Sequence, residues 1–338
     1  RKDCFLKVLF HTNTLNYRGT TVAVSDYAKY NQEVLGNESV ILYNKTIPYE
    51  KDMGSEQTVV DDLSKTFNVI SYDGADRYNE IKRICDDNKI DVAYFIKSGA
   101  RDGELPPDRG SSVVSLPNTK TVVHAVFQVW QPHGDVYAYV SEWLAHKMTP
   151  PNESPLWVPH MVDLPPANKN LREKLSIPKD AFVFGRLGGY DTFDLRWVHT
   201  QIEEYLNTNK NVYFVFANTR PFSNHPNIRY VKEIITKQGK SNFINSCDAM
   251  VHARSRGESF GLSIAEFLHH DKPVVAWEGG VDQNHLHMLS GSQTLYGPND
   301  FKDKLTYTIE EASKASHKWR VKQFQPIPVM EKFKEVFL

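Results

Sequence analysis

Two glutamates frame the stretch of this chain best suited to chemistry. Glu258 sits in a polar, Gly-containing loop at 254–259. Glu266 falls eight residues later, within a run whose apolar members Phe260, Ile264, Phe267 and Leu268 keep helical spacing. At 3.6 residues per turn the second carboxylate stands about two turns inside that helix, so one acid samples the helix mouth and the other its flank. Between them, Phe260, Gly261 and Leu262 contribute the unpaired N–H groups of a helix N-terminus, a ready site for a phosphate. Gly261 lets a ligand approach the backbone closely. The chemistry on offer is phosphate-binding amides beside two carboxylate acceptors suited to hydroxyl groups.

The elements that must position these groups follow from the flanking residues. Ala249 to His252 is a buried-strand candidate, Lys272-Pro273 stops the helix, and Val274 to Trp277 forms the next strand. Strand, crossover helix and strand make a βαβ unit, parallel and right-handed. The chain opens in a related way. Leu6 to Phe10 reads as a buried strand, residues 11–19 as a loop, Thr20 to Leu35 as a helix and Ser39 to Tyr43 as a strand. This is the start of a Rossmann-like domain, in which the first strand-to-helix turn faces the ligand crevice. Gly19 in that turn either places amides near a phosphate or acceptor, or simply punctuates the turn. Strands are expected at 67–71, 91–96, 112–115, 120–126 and 135–140, with a helix at 77–88. The Gly-, Pro- and charge-rich stretch 98–109 reads as a mobile rim. In the second half, strands are expected at 181–185, 211–217 and 228–231, a Gly loop at Glu278-Gly279-Gly280-Val281, and helices around 309–319 and 328–338.

A chain of 338 residues suits two domains, and the Pro-rich stretch from Pro159 to Pro166 is the expected boundary. A formal net charge of -1 gives no reason to expect nucleic acid. No apolar run approaches the length of a membrane span, and no signal-peptide pattern opens the chain. Its first residue is Arg1 rather than Met, the expectation for a piece cut from a longer chain. Cys4, Cys85 and Cys247 lie far apart without metal spacing, which points to a reducing, cytoplasmic setting without disulfides or structural zinc. His285 and His287 read as a solvated surface pair rather than metal ligands.

The segment Glu258-Ser259-Phe260-Gly261-Leu262-Ser263-Ile264-Ala265-Glu266 resembles the E-x7-E motif of retaining nucleotide-sugar glycosyltransferases of the GT-B fold. The resemblance implies an α/β chain of two Rossmann-like domains facing a central cleft. Residues 1–162 would form the acceptor side and 163–322 the nucleotide-sugar donor domain, with a helix at 323–338 crossing back to the first. It implies that Glu258 lies by the donor sugar, that Ser259 and the amides of Phe260, Gly261 and Leu262 contact sugar and diphosphate, and that Glu266 holds the ribose hydroxyls. Arg186 would neutralise the diphosphate, the backbone at Val231 would receive the base, and Gly19 would line the acceptor side. His124 would reach the donor sugar, unless it is a neutral core histidine; His133 is the other candidate. Two positions depart from the family pattern: Arg18-Gly19 stands where a Gly pair is usual, and Gly188-Gly189-Tyr190-Asp191 stands where a Lys usually follows the Arg, with Arg196 as a possible substitute. The implied partners are a nucleotide-diphosphate sugar and a glycan or other hydroxyl acceptor. No metal is expected, since the chain has no Asp-x-Asp. A nucleotide-sugar epimerase or sugar phosphorylase on the same architecture, or a two-domain protein that binds without chemistry, are the competing readings. No Lys-centred pyridoxal signature supports the phosphorylase.

Overall fold

The computed structural model describes residues 5–16, 19–46, 54–102, 116–232, 234 and 236–338. Contacts divide the chain into two compact units, Arg1–Met161 with Pro326–Leu338, and Val162–Gln325.

The first unit runs β1 (Lys7–Thr12), α1 (Gly19–Glu33), β2 (Glu38–Asn44), α2 (Gln57–Ser64), β3 (Asn68–Tyr72), α3 (Arg77–Asn88), β4 (Val92–Lys97), β5 (Lys120–Ala125), β6 (Val136–Tyr139) and α4 (Glu142–Met148). Its strands form one parallel sheet in the order β3-β2-β1-β4-β5-β6. Every residue of β4 is buried, as befits a central parallel strand covered on both faces. Alternation divides the apolar residues between two cores. Val8, Phe10, Tyr94 and Ile96 enter one, while Leu9, Ala93 and Phe95 enter the other.

The second unit runs β7 (Phe182–Leu187), α5 (Arg196–Thr208), β8 (Val212–Ala217), β9 (Ile228–Val231), α6 (Lys237–Asn245), β10 (Ala249–His252), β11 (Gly257–Glu258), α7 (Leu262–His269), β12 (Val274–Trp277), β13 (Asp282–Gln283), α8 (Asn284–Met288), β14 (Leu295–Tyr296) and α9 (Phe301–Glu310). Its main sheet is again parallel, in the order β14-β12-β10-β7-β8-β9. Counted within each unit, both orders are 3-2-1-4-5-6, the doubly wound arrangement whose ligand crevice opens where the order reverses. That point lies between β1 and β4 in the first unit and between β7 and β10 in the second. The last helix, α10 (Pro326–Phe337), buries Val329, Met330, Phe333 and Phe337 in the core of the first unit.

The helix expected around 309–319 is not continuous. After α9 the chain forms two 3-10 segments, Ala312–Lys314 and Lys318–Phe324. Asp271 Oδ1 accepts from Ser316 Oγ and from the amides of His317 and Lys318 at 3.0, 2.6 and 3.2 Å, drawing those N–H groups away from a helical ladder. The strand expected at 112–115 lies outside the described residues, as do Arg18, Cys4 and residues 103–109 of the expected rim. Among the described residues no helix is long and apolar enough to cross a membrane.

Candidate functional site

The carboxyl ends of β7 and β10, where the second sheet reverses its order, carry the loop that leads into α7. Several ties hold that loop in one shape. Asp194 accepts from the Ser255 amide and hydroxyl at 2.7 and 2.6 Å. Arg256 bonds the buried Asp282 at 2.6 Å, and β11 pairs with β13 through Gly257 and Asp282. Asn284 Nδ2 donates to the Phe260 carbonyl at 2.7 Å. The last residue before α7 is Gly261, at φ +95°, a left-handed conformation that an L side chain resists. Having no side chain, it cannot cap the helix, so the first amides of α7 stay available to a ligand.

Glu258 lies against this helix mouth. A Cβ placed on Gly261 would stand 3.4 Å from Glu258 Cβ. The Glu258 carboxylate is held from two sides, by His252 Nε2 at 3.2 Å and Arg254 Nη1 at 2.8 Å. Burial alone would raise its pKa, but His252, Arg254 and His285 outweigh burial and keep it below its ordinary value. Behind it the rings of His252 and His285 stand 5.1 Å apart. His285 Nε2 must carry the proton, because its partner at 2.8 Å is the Trp277 carbonyl. Burial lowers the His285 pKa to about 4, so the ring is neutral at pH 7.

Glu266 is 3% exposed in α7. Its Oε1 meets Lys240 Nζ of α6 at 2.8 Å, whereas its Oε2 is buried without a hydrogen-bond partner among the described residues. A buried carboxylate oxygen left unsatisfied is costly and rare, and hydroxyl groups of a ligand are the donors that would satisfy it.

The structure corrects the expected role of His124 and the expected position of Arg186. Arg186 does not follow β7 but lies inside it, 4% exposed, and burial lowers its pKa to about 10. Its Nη1 donates to Asn218 O and Thr219 Oγ1 at 3.2 and 2.6 Å, and its Nη2 to Gly189 O and Thr192 Oγ1 at 2.9 and 2.6 Å. The guanidinium therefore clasps the loops after β7 and β8 with four of its five N–H donors. His124 is fully buried among Tyr27, Tyr94 and Phe337. Its Nε2 donates to Val158 O at 2.8 Å and its Nδ1 accepts from Tyr94 Oη at 2.7 Å, so neither nitrogen is left for a sugar. Burial lowers its pKa to about 3. It is a neutral core histidine.

The remaining expected residues are scattered. His133 is buried on the β5–β6 connection, with Nδ1 donating to Gln131 O at 2.7 Å. Val231 ends β9 beside Ala217. Gly19 opens α1, and among the described residues nothing lies within 4 Å of a Cβ placed there. Arg196 begins α5. His285 and His287 diverge, one buried and one exposed, and are not the solvated pair expected. Among the described residues no three His, Cys, Asp or Glu side chains gather as a metal site. Sequence reasoning passed over His252 and the Lys240 contact with Glu266. It also passed over Lys97, buried at the carboxyl end of β4 against Asn13 and Asp102 at 2.8 and 3.0 Å, where burial lowers its pKa to about 8. A pocket of about 410 Å³ opens at the opposite end of the second sheet, lined by Arg172, Lys179, Asp248 and Lys272, and takes no part in the site.

No protein-family model matches the chain, nor does any curated protein sequence. Solved structures do. A glycosyltransferase from Rickettsia africae is 14% identical and superposes at a TM-score of 0.72, with 98% of each chain covered. The Anabaena protein HepE, solved in complex with UDP-glucose, is 12% identical at a TM-score of 0.68, again over 98% of each chain. The fold is GT-B. A Listeria monocytogenes protein assigned as a UDP-N-acetylglucosamine 2-epimerase shares this GT-B likeness at 8% identity and a TM-score of 0.61, over 95% of each chain. Identities this low speak for fold alone, and function must be argued from the site.

Proposed function

We propose that the chain is a retaining, metal-independent glycosyltransferase that moves a sugar from a nucleotide-diphosphate sugar to an acceptor hydroxyl. The observation that carries this reading is the buried, unpartnered Oε2 of Glu266, on the same short helix whose uncapped N-terminus follows Glu258. A ribose hydroxyl supplies the donor that Oε2 lacks. The diphosphate then meets the amides after Ser259, at Phe260, Gly261 and Leu262, and the sugar reaches Glu258.

In this reading the acceptor oxygen bonds to the anomeric carbon as the bond from that carbon to the diphosphate breaks. The acceptor attacks the face the leaving group vacates, and its proton passes to a phosphate oxygen. The positive end of α7 is aimed where negative charge grows, and such preorganised dipoles are typically the largest catalytic term. The ionised Glu258, fixed by His252 and Arg254, stands beside the positive charge that develops on the sugar ring. The bound UDP-glucose of HepE makes UDP-sugars the first donors to try. The epimerase likeness sustains a second reading on the same donor site.

Proton NMR of the chain with UDP-, GDP- and ADP-sugars, with and without simple glycosides as acceptors, separates these readings. Acceptor-dependent release of nucleoside diphosphate with retained anomeric configuration is the expected result. Acceptor-independent conversion of the nucleotide sugar would favour the epimerase. Binding without either change would leave a protein that holds its ligand without chemistry.

A further inference from the structure

Any diphosphate in the site just proposed brings two or more negative charges, and a cation must meet them. Arg186 has four of its five N–H donors engaged by Asn218, Thr219, Gly189 and Thr192. Lys240 is committed to Glu266 and Arg256 to the buried Asp282. No lysine stands in Gly188-Gly189-Tyr190-Asp191.

Arg254 differs from all of these. It projects two residues beyond β10, at the sheet's reversal point, with its side chain 28% exposed. Among the described residues it makes one hydrogen bond, from Nη1 to Glu258 Oε2 at 2.8 Å, and the rest of its fork has no acceptor. Glu258 Cβ in turn stands 3.4 Å from where a Cβ would sit on Gly261, the residue at the mouth of α7, so Arg254 and that helix end have Glu258 as their common neighbour. A planar fork with open donors that shares a neighbour with a positive helix end is suited to phosphate oxygens.

We propose, resting on the donor-site reading above, that Arg254 is the side chain that binds the diphosphate, and that Arg186 is the clasp that shapes the loops around it. Glu258 then faces the sugar while accepting one hydrogen bond from Arg254. No covalent bond changes in this step; Arg254 shares its donors between Glu258 and a phosphate oxygen.

The test is calorimetric titration of the whole chain with UDP, GDP and ADP, and with the matching monophosphates and nucleosides, for the unchanged protein and for Arg254→Gln, Arg254→Lys and Glu258→Gln. Arg254→Gln is expected to weaken the diphosphate about 10- to 100-fold, the range for a lost charge-assisted contact, and to leave the nucleoside unchanged. Arg254→Lys keeps the charge without the fork and should fall between. Glu258→Gln, which removes a negative charge, should hold the diphosphate as tightly as the unchanged chain or more so. Unaltered diphosphate affinity in Arg254→Gln overturns the inference alone, as does equal loss of diphosphate and nucleoside. An equal loss in Glu258→Gln would show that Arg254 acts only by holding Glu258, and would also overturn it. An unchanged chain that binds no nucleotide would bring down the donor site itself, and this inference with it. Retained nucleoside affinity certifies a folded site in each variant.

Discussion

Replacing Lys240 by Met isolates the physics of the buried pair under α7. The ammonium stands 2.8 Å from Glu266 Oε1, with the two side chains 17% and 4% exposed, and Glu266 Oε2 already lacks a partner. Removing the cation leaves a carboxylate with both oxygens uncompensated inside the second unit. Breaking a buried pair from one side costs about 3–5 kcal/mol. For a unit of this size that lowers the melting temperature by roughly 6 to 20 °C. Removing both partners behaves differently, because two well-packed apolar side chains carry no stranded charge. Lys240→Met with Glu266→Met is expected to melt within about 1–2 kcal/mol of the unchanged protein, which is the non-additivity a double-mutant cycle detects. The assay is thermal unfolding by circular dichroism at pH 7, with the same four proteins titrated with nucleotide. The double variant should be stable yet unresponsive to ligand. A single Lys240→Met change costing less than about 1 kcal/mol would refute the reasoning, since Glu266 would then be solvated and its second oxygen would need no ligand.

Other perturbations follow from the same geometry. His124→Phe should destabilise the first unit by about 2–4 kcal/mol, because it strands the Tyr94 hydroxyl and the Val158 carbonyl, while nucleotide affinity in titrations stays as it was. Arg186→Lys should cost about 2–4 kcal/mol in denaturant unfolding by losing most of a four-bond clasp; a variant as stable as the parent that cannot bind diphosphate would instead return Arg186 to the ligand. Gly261→Ala forces a side chain into the left-handed region at φ +95° and should cost about 1–2 kcal/mol, with weaker diphosphate binding. His124 and His285 are held neutral, near 3 and 4, so below pH 6.5 the unfolded chain takes up protons that the folded chain refuses. Their contribution is complete above pH 6.5 and is lost as the pH falls toward 4, by about 2 kcal/mol each at pH 5, which unfolding midpoints across that range will register.

Much of the scaffold was legible because its cause is local. The apolar run at the start of β4, the helical spacing of α7 and the Lys272-Pro273 stop after it state their structure in residue order, and the βαβ unit around the two glutamates follows from them. The roles of side chains were less legible, because they depend on what stands opposite. Nothing in the residues around His124 tells a strand-end histidine facing a ligand from one facing Tyr94 and Val158. Arg186 looks like an anion ligand until Thr192 and Thr219, six and 33 residues away, are seen to hold it. Lys240 and Glu266 are 26 residues apart on different helices, so their pairing leaves no periodic trace. The α9 tail failed as a helix for a similar reason: Asp271, 45 to 47 residues upstream, captures its backbone amides.

The most direct test of the central claim, that α7 and its two glutamates form a nucleotide-sugar donor site, is a thermal-shift panel. It sets UDP-, GDP- and ADP-sugars and their free diphosphates against the unchanged chain and Glu266→Ala. At about 100 times its dissociation constant, a true ligand stabilises the native state by roughly 2.7 kcal/mol. One base should raise the melting temperature by several degrees in the unchanged chain, and Glu266→Ala should abolish or sharply reduce that rise. If no nucleotide moves the melting temperature, or if Glu266→Ala responds as fully as its parent, the site is not the donor site described here.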